Sequence, residues 1–247
     1  MDPRITIISE RLRHVKRVIA VSGGKGGVGK SLVASALALI LARKNYRVGL
    51  FDADFTSPST HTILGVKEIQ PKEEKGIIPI QVHGFKYLSL VAYSHEEALP
   101  LRGMDVSNAL IELFAVTRWG ELDFLIIDMP PGISDATLDL IKLVKGIEFL
   151  IVTTPSPLAF ETVKKLVKLM ADLRVPVIGV VENMKMKESS FIKQQVAATG
   201  LPYLGEIPFD PKIEEGLGRV DVLMETVFAR KLDEAISSSF LPARRRL

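Results

Sequence analysis

The chain has 247 residues, 47% of them apolar and 25% charged, with a formal net charge of +3 at pH 7. This length suits one large α/β core and is short for two, so we expect a single domain over residues 1–247. The small positive excess falls partly on Arg244, Arg245 and Arg246, and nucleic acid is therefore not an expected partner. There is no cysteine, which excludes disulfides, thiolate metal ligands and thiol nucleophiles in these residues.

Hydropathy gives no sign of a membrane segment. No apolar run reaches the roughly 18 residues that a spanning helix needs. Residues 1–17 contain Asp2, Glu10 and several basic side chains without an apolar core. We expect neither a spanning helix nor a secretory signal, no membrane partner, and a cytoplasmic location.

Apolar β-branched runs alternate with helical patterns along the chain, an order typical of βαβ units. We predict a three-layer α/β fold, in which helices cover both faces of a mostly parallel, twisted sheet. The strands are predicted at residues 18–21, 47–51, 85–90, 124–127, 149–152, 177–181 and 203–205. The helices are predicted at residues 6–14, 31–43, 106–118, 135–144, 158–173, 189–198 and 221–239.

Two segments need a separate interpretation. Residues 67–84 are rich in Lys, Glu, Pro and Gly and follow neither period, which predicts a surface insertion. In the last helix, Phe228, Leu232, Ile236 and Phe240 are four apart and form an apolar stripe. Docking of this stripe on the core is favoured over membrane binding.

A glycine-rich segment lies between the first predicted strand and the helix that follows it. Residues 24–31 read GKGGVGKS and fit the phosphate-binding pattern G-x-x-x-x-G-K-S/T, in the strand-to-helix context that this motif requires. Glycines let backbone N–H groups form a nest for phosphate, and the helix N-terminus adds its positive dipole end. Lys30 is predicted to contact the β- and γ-phosphates, and the Ser31 hydroxyl to ligate Mg²⁺. The predicted nucleotide-binding residues of this segment are Gly24, Gly26, Gly27, Val28, Gly29, Lys30, Ser31 and Leu32.

Carboxylates follow two of the predicted strands, at the sheet edge where functional groups gather in this topology. Asp52 and Asp54 come after the second strand, and Asp128 ends the apolar run 125–128. Asp128 is predicted to hold Mg²⁺, and a carboxylate near the γ-phosphate can orient the attacking water. An isolated Asp-x-Asp is usually a turn or a cap, but its place one strand after the glycine-rich segment favours a role in the site.

The second lysine of the segment, Lys25, is not required by the general motif. The segment resembles the deviant Walker A loop of the MinD, ParA, nitrogenase iron protein and Mrp group of SIMIBI-like P-loop ATPases. The resemblance implies a homodimer that encloses ATP, with Lys25 as a catalytic residue reaching the partner's nucleotide. It also implies that Asp54 positions water, that Asp52 supports the Mg²⁺ shell and that Asn183 reads the adenine. A solvated surface lysine and a turn-forming asparagine remain the structural alternatives for Lys25 and Asn183.

Further segments are similar to the Mrp-type iron–sulfur cluster carrier ATPases over nearly the whole chain. These segments are residues 14–21, 58–59, 102–104, 119–123, 126–132, 153–155, 181–184 and 204–208. That family usually follows its Glu-Asn-Met segment with a Cys-x-x-Cys pair that bridges a 4Fe–4S cluster between protomers. Residues 185–191 contain no cysteine, so we expect no iron–sulfur cluster on the chain's own cysteines.

Two functions remain open at this point. The first is a dimeric, Mg-dependent ATPase switch that assists metal-centre assembly through a client or scaffold protein that carries the cysteines. The second is a MinD- or ParA-like positioning or regulatory protein that is switched by nucleotide.

Overall fold

The computed structural model describes residues 3–55, 57–91 and 104–239. Phe240 of the predicted apolar stripe, the arginines at 244–246, and residues 102–103 of the Mrp-type segments lie outside these ranges. The helices are α1 (Pro3–Arg11), α2 (Lys30–Arg43), α3 (Thr60–Leu64), α4 (Met104–Val116), α5 (Asp135–Leu143), α6 (Pro157–Asp172), α7 (Phe191–Ala198), α8 (Ile213–Gly216), α9 (Val220–Glu225) and α10 (Val227–Ser239). The strands are β1 (Val15–Ser22), β2 (Val48–Asp52), β3 (Lys72–Glu73), β4 (Ile77–Ile78), β5 (Ile80–Val82), β6 (Phe85–Ser89), β7 (Leu122–Asp128), β8 (Ile147–Thr153), β9 (Val177–Lys185) and β10 (Tyr203–Pro208).

The main sheet has eight strands in the order β10-β9-β8-β1-β7-β2-β6-β5. Every neighbouring pair from β10 to β6 is parallel, and only β5 runs antiparallel to its neighbour. The strand order reverses direction around β1, which lies between β7 and β8. The carboxyl ends of these central strands therefore form the crevice in which a parallel sheet binds ligands.

Alternate residues of the central strands belong to two separate cores. Val18 and Ala20 of β1 pack with α4, α5 and α6, whereas Ile19 and Val21 pack with α2 and α10. This alternation follows from the period of two along a strand. The predicted three-layer α/β fold with a mostly parallel sheet is confirmed.

Residues 67–84 lie largely at the surface, as predicted, but they contain regular structure that the prediction did not include. They include the two-stranded β3–β4 sheet and β5, which pairs with β6 at the edge of the main sheet. His83 and Gly84 connect β5 to β6 with φ values of 46° and 86°. Two central residues with positive φ make the type I′ turn that suits a two-residue hairpin. The strands in residues 67–84 are too short and too polar for an alternation of apolar and polar side chains to be recognised from the sequence.

The predicted helix over 221–239 is two helices, α9 and α10, which are separated at Thr226. Asp210 Oδ2 accepts hydrogen bonds from the backbone N–H groups of Val227 (2.8 Å) and Phe228 (3.4 Å). These bonds satisfy N–H groups that have no partner within a helix at its N-terminus, so they allow a new helix to start. Phe228 and Ile236 are fully buried, which confirms that the stripe docks on the core. Across the part of the chain that is described, no helix is both long and apolar enough to cross a bilayer.

Candidate nucleotide-binding site

The glycine-rich loop joins β1, which ends at Ser22, to α2, which begins at Lys30. Gly27 and Gly29 have φ values of 77° and 86°, a left-handed conformation that glycine adopts without strain. A Cβ on Gly24 would lie 2.1 Å from Thr162 Oγ1 of α6, so this glycine is needed for close packing instead. The side of the loop at Gly26 and Gly27 is open. The loop is thus fixed from behind by α6 and open in front, as a phosphate cradle must be.

The two lysines of the loop differ in their surroundings. The Lys30 side chain is buried, with 6% of the residue exposed, and its positive charge partly opposes the rise that burial causes in the pKa of Asp128. Lys25 lies exposed in the loop, and we find no hydrogen bond or ion pair for it within the described ranges. Lys30 therefore lies inside the site, where a bound ligand could contact it. Lys25 faces solvent, where a group from another molecule could reach it.

Asp128 is the most unusual side chain of the site. It ends β7 directly beside Asp52 of β2, and it is fully buried. Neither carboxylate oxygen has a hydrogen-bond partner among the residues described. Burial raises the pKa of Asp128 to about 8, and the negative charge of Asp52 adds to this shift, while Ser31 and Lys30 oppose it.

A buried carboxylate without partners is costly unless a cation joins it. The Ser31 hydroxyl and the Asp128 carboxylate are hard oxygen donors of the kind that Mg²⁺ takes. The residues present therefore fit Mg²⁺, and in this arrangement Ser31 and Asp128 would hold it.

Unlike Asp128, Asp52 accepts hydrogen bonds from neighbouring residues. Its Oδ1 accepts from the Asp54 N–H (3.2 Å), and its Oδ2 accepts from the Thr60 N–H (3.3 Å) and from Thr60 Oγ1 (2.6 Å). Thr60 Oγ1 is also 2.8 Å from the Tyr87 hydroxyl. Burial raises the pKa of Asp52 to about 6 despite these bonds. Asp52 thus fastens Asp54 and Thr60 to the end of β2, and its support of the Mg²⁺ shell stays a prediction.

Asp54 is also engaged within its own loop. Only 7% of the residue is exposed, and its Oδ1 accepts a hydrogen bond from the Ser57 N–H at 3.1 Å. This is the turn-capping arrangement that the sequence left open as the alternative. The role of Asp54 toward the attacking water stays a prediction.

Asn183 comes to the site from β9, two strands away from β1. The residue is 2% exposed, and its Nδ2 donates to the carbonyl oxygen of Val28 at 3.0 Å. A Cβ on Gly29 would lie 2.4 Å from that nitrogen, so a glycine is needed for this approach. Asn183 therefore supports the phosphate loop directly, and its contact with adenine stays a prediction.

The segment after β7 packs against the same loop. The N–H of Met129 donates to Val21 O at 3.1 Å, and the N–H of Gly132 donates to Gly23 O at 3.3 Å. Residues from four strands and one loop thus converge at a single edge of the sheet. Sequence reasoning missed Thr60 and Tyr87, which are polar residues without a recognisable motif.

Comparison with known proteins identifies this arrangement. A family model described as ParA, the NUBPL iron-transfer P-loop NTPase, matches residues 14–240. The chain belongs to this family. The predicted resemblance to Mrp-type P-loop ATPases is confirmed.

Individual relatives of this NUBPL-type NTPase agree with the assignment. An iron–sulfur cluster carrier protein from Aquifex aeolicus is 42% identical over 222 residues, which cover 83% of this chain and 61% of that relative. The chain thus spans less than two thirds of the relative's length. A nucleotide-binding protein from Archaeoglobus fulgidus, solved in complex with ADP, has a TM-score of 0.76 and 29% identity over 90% of this chain and 93% of that one. MinD from Pyrococcus horikoshii, with Mg-ADP, has a TM-score of 0.69 at 24% identity over 90% and 95%, and this likeness shows the shared fold.

The lack of cysteine in these 247 residues leads to a testable prediction about iron–sulfur cluster binding. Within the described ranges, no group of three or more His, Cys, Asp or Glu side chains could hold a metal ion. Anaerobic incubation with iron and sulfide is expected to leave no stoichiometric cluster chromophore after desalting, because thiolates are the ordinary cluster ligands. A stoichiometric, stable chromophore would show that other side chains ligate a cluster. A protein with a known Cys-ligated cluster, treated in parallel, serves as the control.

Proposed function

We propose that the chain binds and hydrolyses ATP with Mg²⁺, and that it works as a homodimeric switch. The observation that carries this proposal is the buried Asp128 carboxylate, whose oxygens accept no hydrogen bond from the described residues and which lies close to Lys30 of the phosphate loop. Such a group makes physical sense as part of a cation site.

Each residue of the site has a defined task in this proposal. The N–H groups of residues 24–31 hold the phosphate oxygens, and Lys30 adds a positive charge at the β- and γ-phosphates. Ser31 and Asp128 would hold Mg²⁺, which when bound would neutralise charge on these phosphates. Asp54 orients the attacking water after its loop releases the bond to Ser57. Little covalent chemistry is needed, because positioning and electrostatic stabilisation supply most of the rate acceleration of phosphoryl transfer.

A second copy of the chain would complete the site through Lys25. This lysine is exposed and has no partner within the described ranges. Two exposed apolar side chains lie near the loop. Ile133, 46% exposed, follows Gly132, which is bonded to Gly23, and Leu158, 73% exposed, is in the first turn of α6. An apolar surface beside an unpaired cation suits a protein contact. In the dimer, Lys25 would stabilise the phosphate charge of the partner's nucleotide.

We further propose that the switch serves iron–sulfur cluster assembly. The Aquifex aeolicus relative is named as a carrier of such clusters. Because these 247 residues contain no cysteine, the cluster thiolates would come from a partner protein. A pull-down in the presence of ATP tests this: cluster-assembly proteins support the proposal, whereas division or segregation proteins support a MinD- or ParA-like positioning function.

The dimer proposal is tested with Lys25→Ala. ATP binding is expected to change less than about threefold, whereas hydrolysis falls by on the order of 100-fold, since a charge supplied in trans to phosphoryl transfer has effects of this size or larger. Dimerisation with a non-hydrolysable ATP analogue, followed by light scattering, should weaken as well. The matched control is Lys145→Ala, which removes an equally exposed lysine from the α5–β8 connection.

Mixed dimers separate a trans effect from a local one. A Lys25→Ala subunit keeps its own Asp54, and an Asp54→Asn subunit keeps its Lys25. Mixing these two weakly active variants should therefore restore part of the activity. Normal turnover by Lys25→Ala alone, or no recovery on mixing, would contradict the proposed role of Lys25.

A further inference from the structure

A cavity of about 560 Å³ lies at the end of the sheet opposite the phosphate loop. It is formed where the last turn of α1, the start of β6 and the connection from α4 to β7 meet. The hydrogen bond from the Leu122 N–H to His14 O, 3.1 Å long, marks the amino-terminal ends of β7 and β1 at this point. The eight residues of β1 separate the cavity from the loop, which is about 25 Å at roughly 3.3 Å per residue. The cavity is therefore distinct from the nucleotide site.

Positive charge predominates around this cavity. Its walls carry Arg11, Arg13, Lys86 and Arg118, and only one carboxylate, Glu10. The ion pair between Glu10 and Arg13 is 3.7 Å long, and both side chains are largely exposed, so it compensates little charge. This basic cavity, as we call it, thus holds an excess of three positive charges.

Three of the four cations donate to backbone carbonyls. Arg11 Nε donates to Ala115 O at 3.0 Å, Arg118 Nη1 donates to Glu74 O at 3.0 Å, and Lys86 Nζ donates to Trp119 O. A carbonyl fixes the position of a cation but carries no net charge. Each of these three groups is thereby held in place around the cavity without a carboxylate partner among the described residues.

Other cations of the chain show the contrast. Arg17 forms two 2.7 Å bonds with the carboxylate of Glu148, and Lys44 is 2.7 Å from Asp233. Arg17 and Lys44 are therefore neutralised by carboxylates, whereas among the described residues Arg11, Lys86 and Arg118 of the basic cavity are not.

We propose that the basic cavity binds a small molecule that carries two or more phosphate groups. Guanidinium groups match phosphate oxygens with two parallel hydrogen bonds, and fixed donors lose little entropy on binding. A volume of about 560 Å³ is within the range of small-molecule sites, whereas a nucleic acid needs an extended basic surface. Ile7 and Ile78 add apolar surface for the rest of the molecule.

A purely structural role gives a different expectation. Arg11 ends α1, and Arg118 follows the end of α4, where a cation stabilises the helix dipole. If this were the whole role of these residues, their removal would lower the melting temperature and no anion would bind. Binding and stability must therefore be measured on the same variants.

The test uses inorganic pyrophosphate as the probe, titrated by calorimetry into the full chain that carries Lys30→Ala, so that phosphate binding at the glycine-rich loop is disabled. One site per chain is expected. Adding Arg118→Gln or Arg13→Gln should weaken binding at least about tenfold, as loss of a charged hydrogen bond does. Arg13 donates to no backbone carbonyl among the described contacts, so its variant is expected to keep the wild-type melting temperature.

The matched control is Lys193→Gln, which removes one positive charge from the exposed face of α7 and should leave pyrophosphate binding unchanged. Tripolyphosphate and ADP, titrated in the same way, show whether the site prefers a free polyphosphate or a nucleotide. Absence of pyrophosphate binding, or equal weakening by Lys193→Gln and Arg118→Gln, would overturn the proposal. So would a short DNA duplex that binds more tightly than pyrophosphate and responds to the same variants.

Discussion

Replacing Lys30 with alanine is expected to abolish measurable ATP binding. Lys30 is buried at the start of α2, and its ammonium is the one positive side chain that the described site aims inward. Truncating one partner of a buried charge pair costs about 2–5 kcal/mol, which corresponds to a loss of roughly 30-fold to more than 1,000-fold in affinity. Calorimetric titration with ATP and Mg²⁺ measures this loss.

Two controls accompany Lys30→Ala. Lys145→Ala removes a lysine far from the site and should bind ATP as the unmodified chain does. Circular dichroism of Lys30→Ala should match the unmodified chain, because α2 is held mainly by its apolar contacts with both α10 and the sheet. If Lys30→Ala bound ATP with an affinity within threefold of the original, the assignment of residues 24–31 as the phosphate loop would be wrong.

Replacing Asp128 with asparagine is expected to have opposite effects on hydrolysis and on stability. Hydrolysis should fall by on the order of 100-fold or more, because the change removes an anionic Mg²⁺ ligand. The nucleotide-free protein should become more stable at pH 8, because the change removes a buried carboxylate that has no partner among the described residues. Mg-dependent phosphate release measures the first effect, and urea denaturation without Mg²⁺ or nucleotide measures the second.

The sign of the pH dependence follows from the raised pKa of Asp128, which is about 8 in the folded chain. The unfolded chain releases this proton near pH 4, so the free energy of unfolding falls as pH rises from about 4 to 8. Asp52, whose pKa is raised to about 6, contributes with the same sign. At pH 8 the gain from Asp128→Asn should be at most about 5 kcal/mol, since each unit of the shift corresponds to about 1.36 kcal/mol, and near pH 4 the gain should be close to zero.

Asp172→Asn, which changes an exposed acid at the end of α6, is the control and should leave the pH dependence unchanged. A variant at position 128 that is less stable than the original chain at pH 8 would contradict the interpretation that burial of the Asp128 charge outweighs its compensation by Ser31 and Lys30.

Local patterns predicted the elements of this fold well where the pattern was long. Residues 124–127 of β7 are an unbroken apolar run, and the glycine-rich segment combines a strand, a loop and a helix in a fixed spacing. Such signals depend on neighbouring residues alone, so the parallel sheet and the position of the phosphate loop could be inferred without tertiary information.

Contacts between distant residues could not be inferred in this way. Asn183 bonds to Val28 across 155 positions, and Thr60 meets Tyr87 across 27 positions. The break between α9 and α10 has a similar cause, because Asp210 from another segment caps the second helix. In each case a side chain satisfies backbone or hydroxyl groups that only the folded chain brings near.

The supports of the phosphate loop also bear on how tightly ATP can bind. Asn183 Nδ2 holds the Val28 carbonyl, and the N–H of Gly132 holds the carbonyl of Gly23. Neither contact needs a nucleotide, so the loop has its shape before a phosphate arrives and little conformational freedom remains to be lost on binding. This advantage applies to ATP and ADP alike, so a switch of the proposed kind would have to distinguish the two nucleotides through segments that contact the γ-phosphate alone.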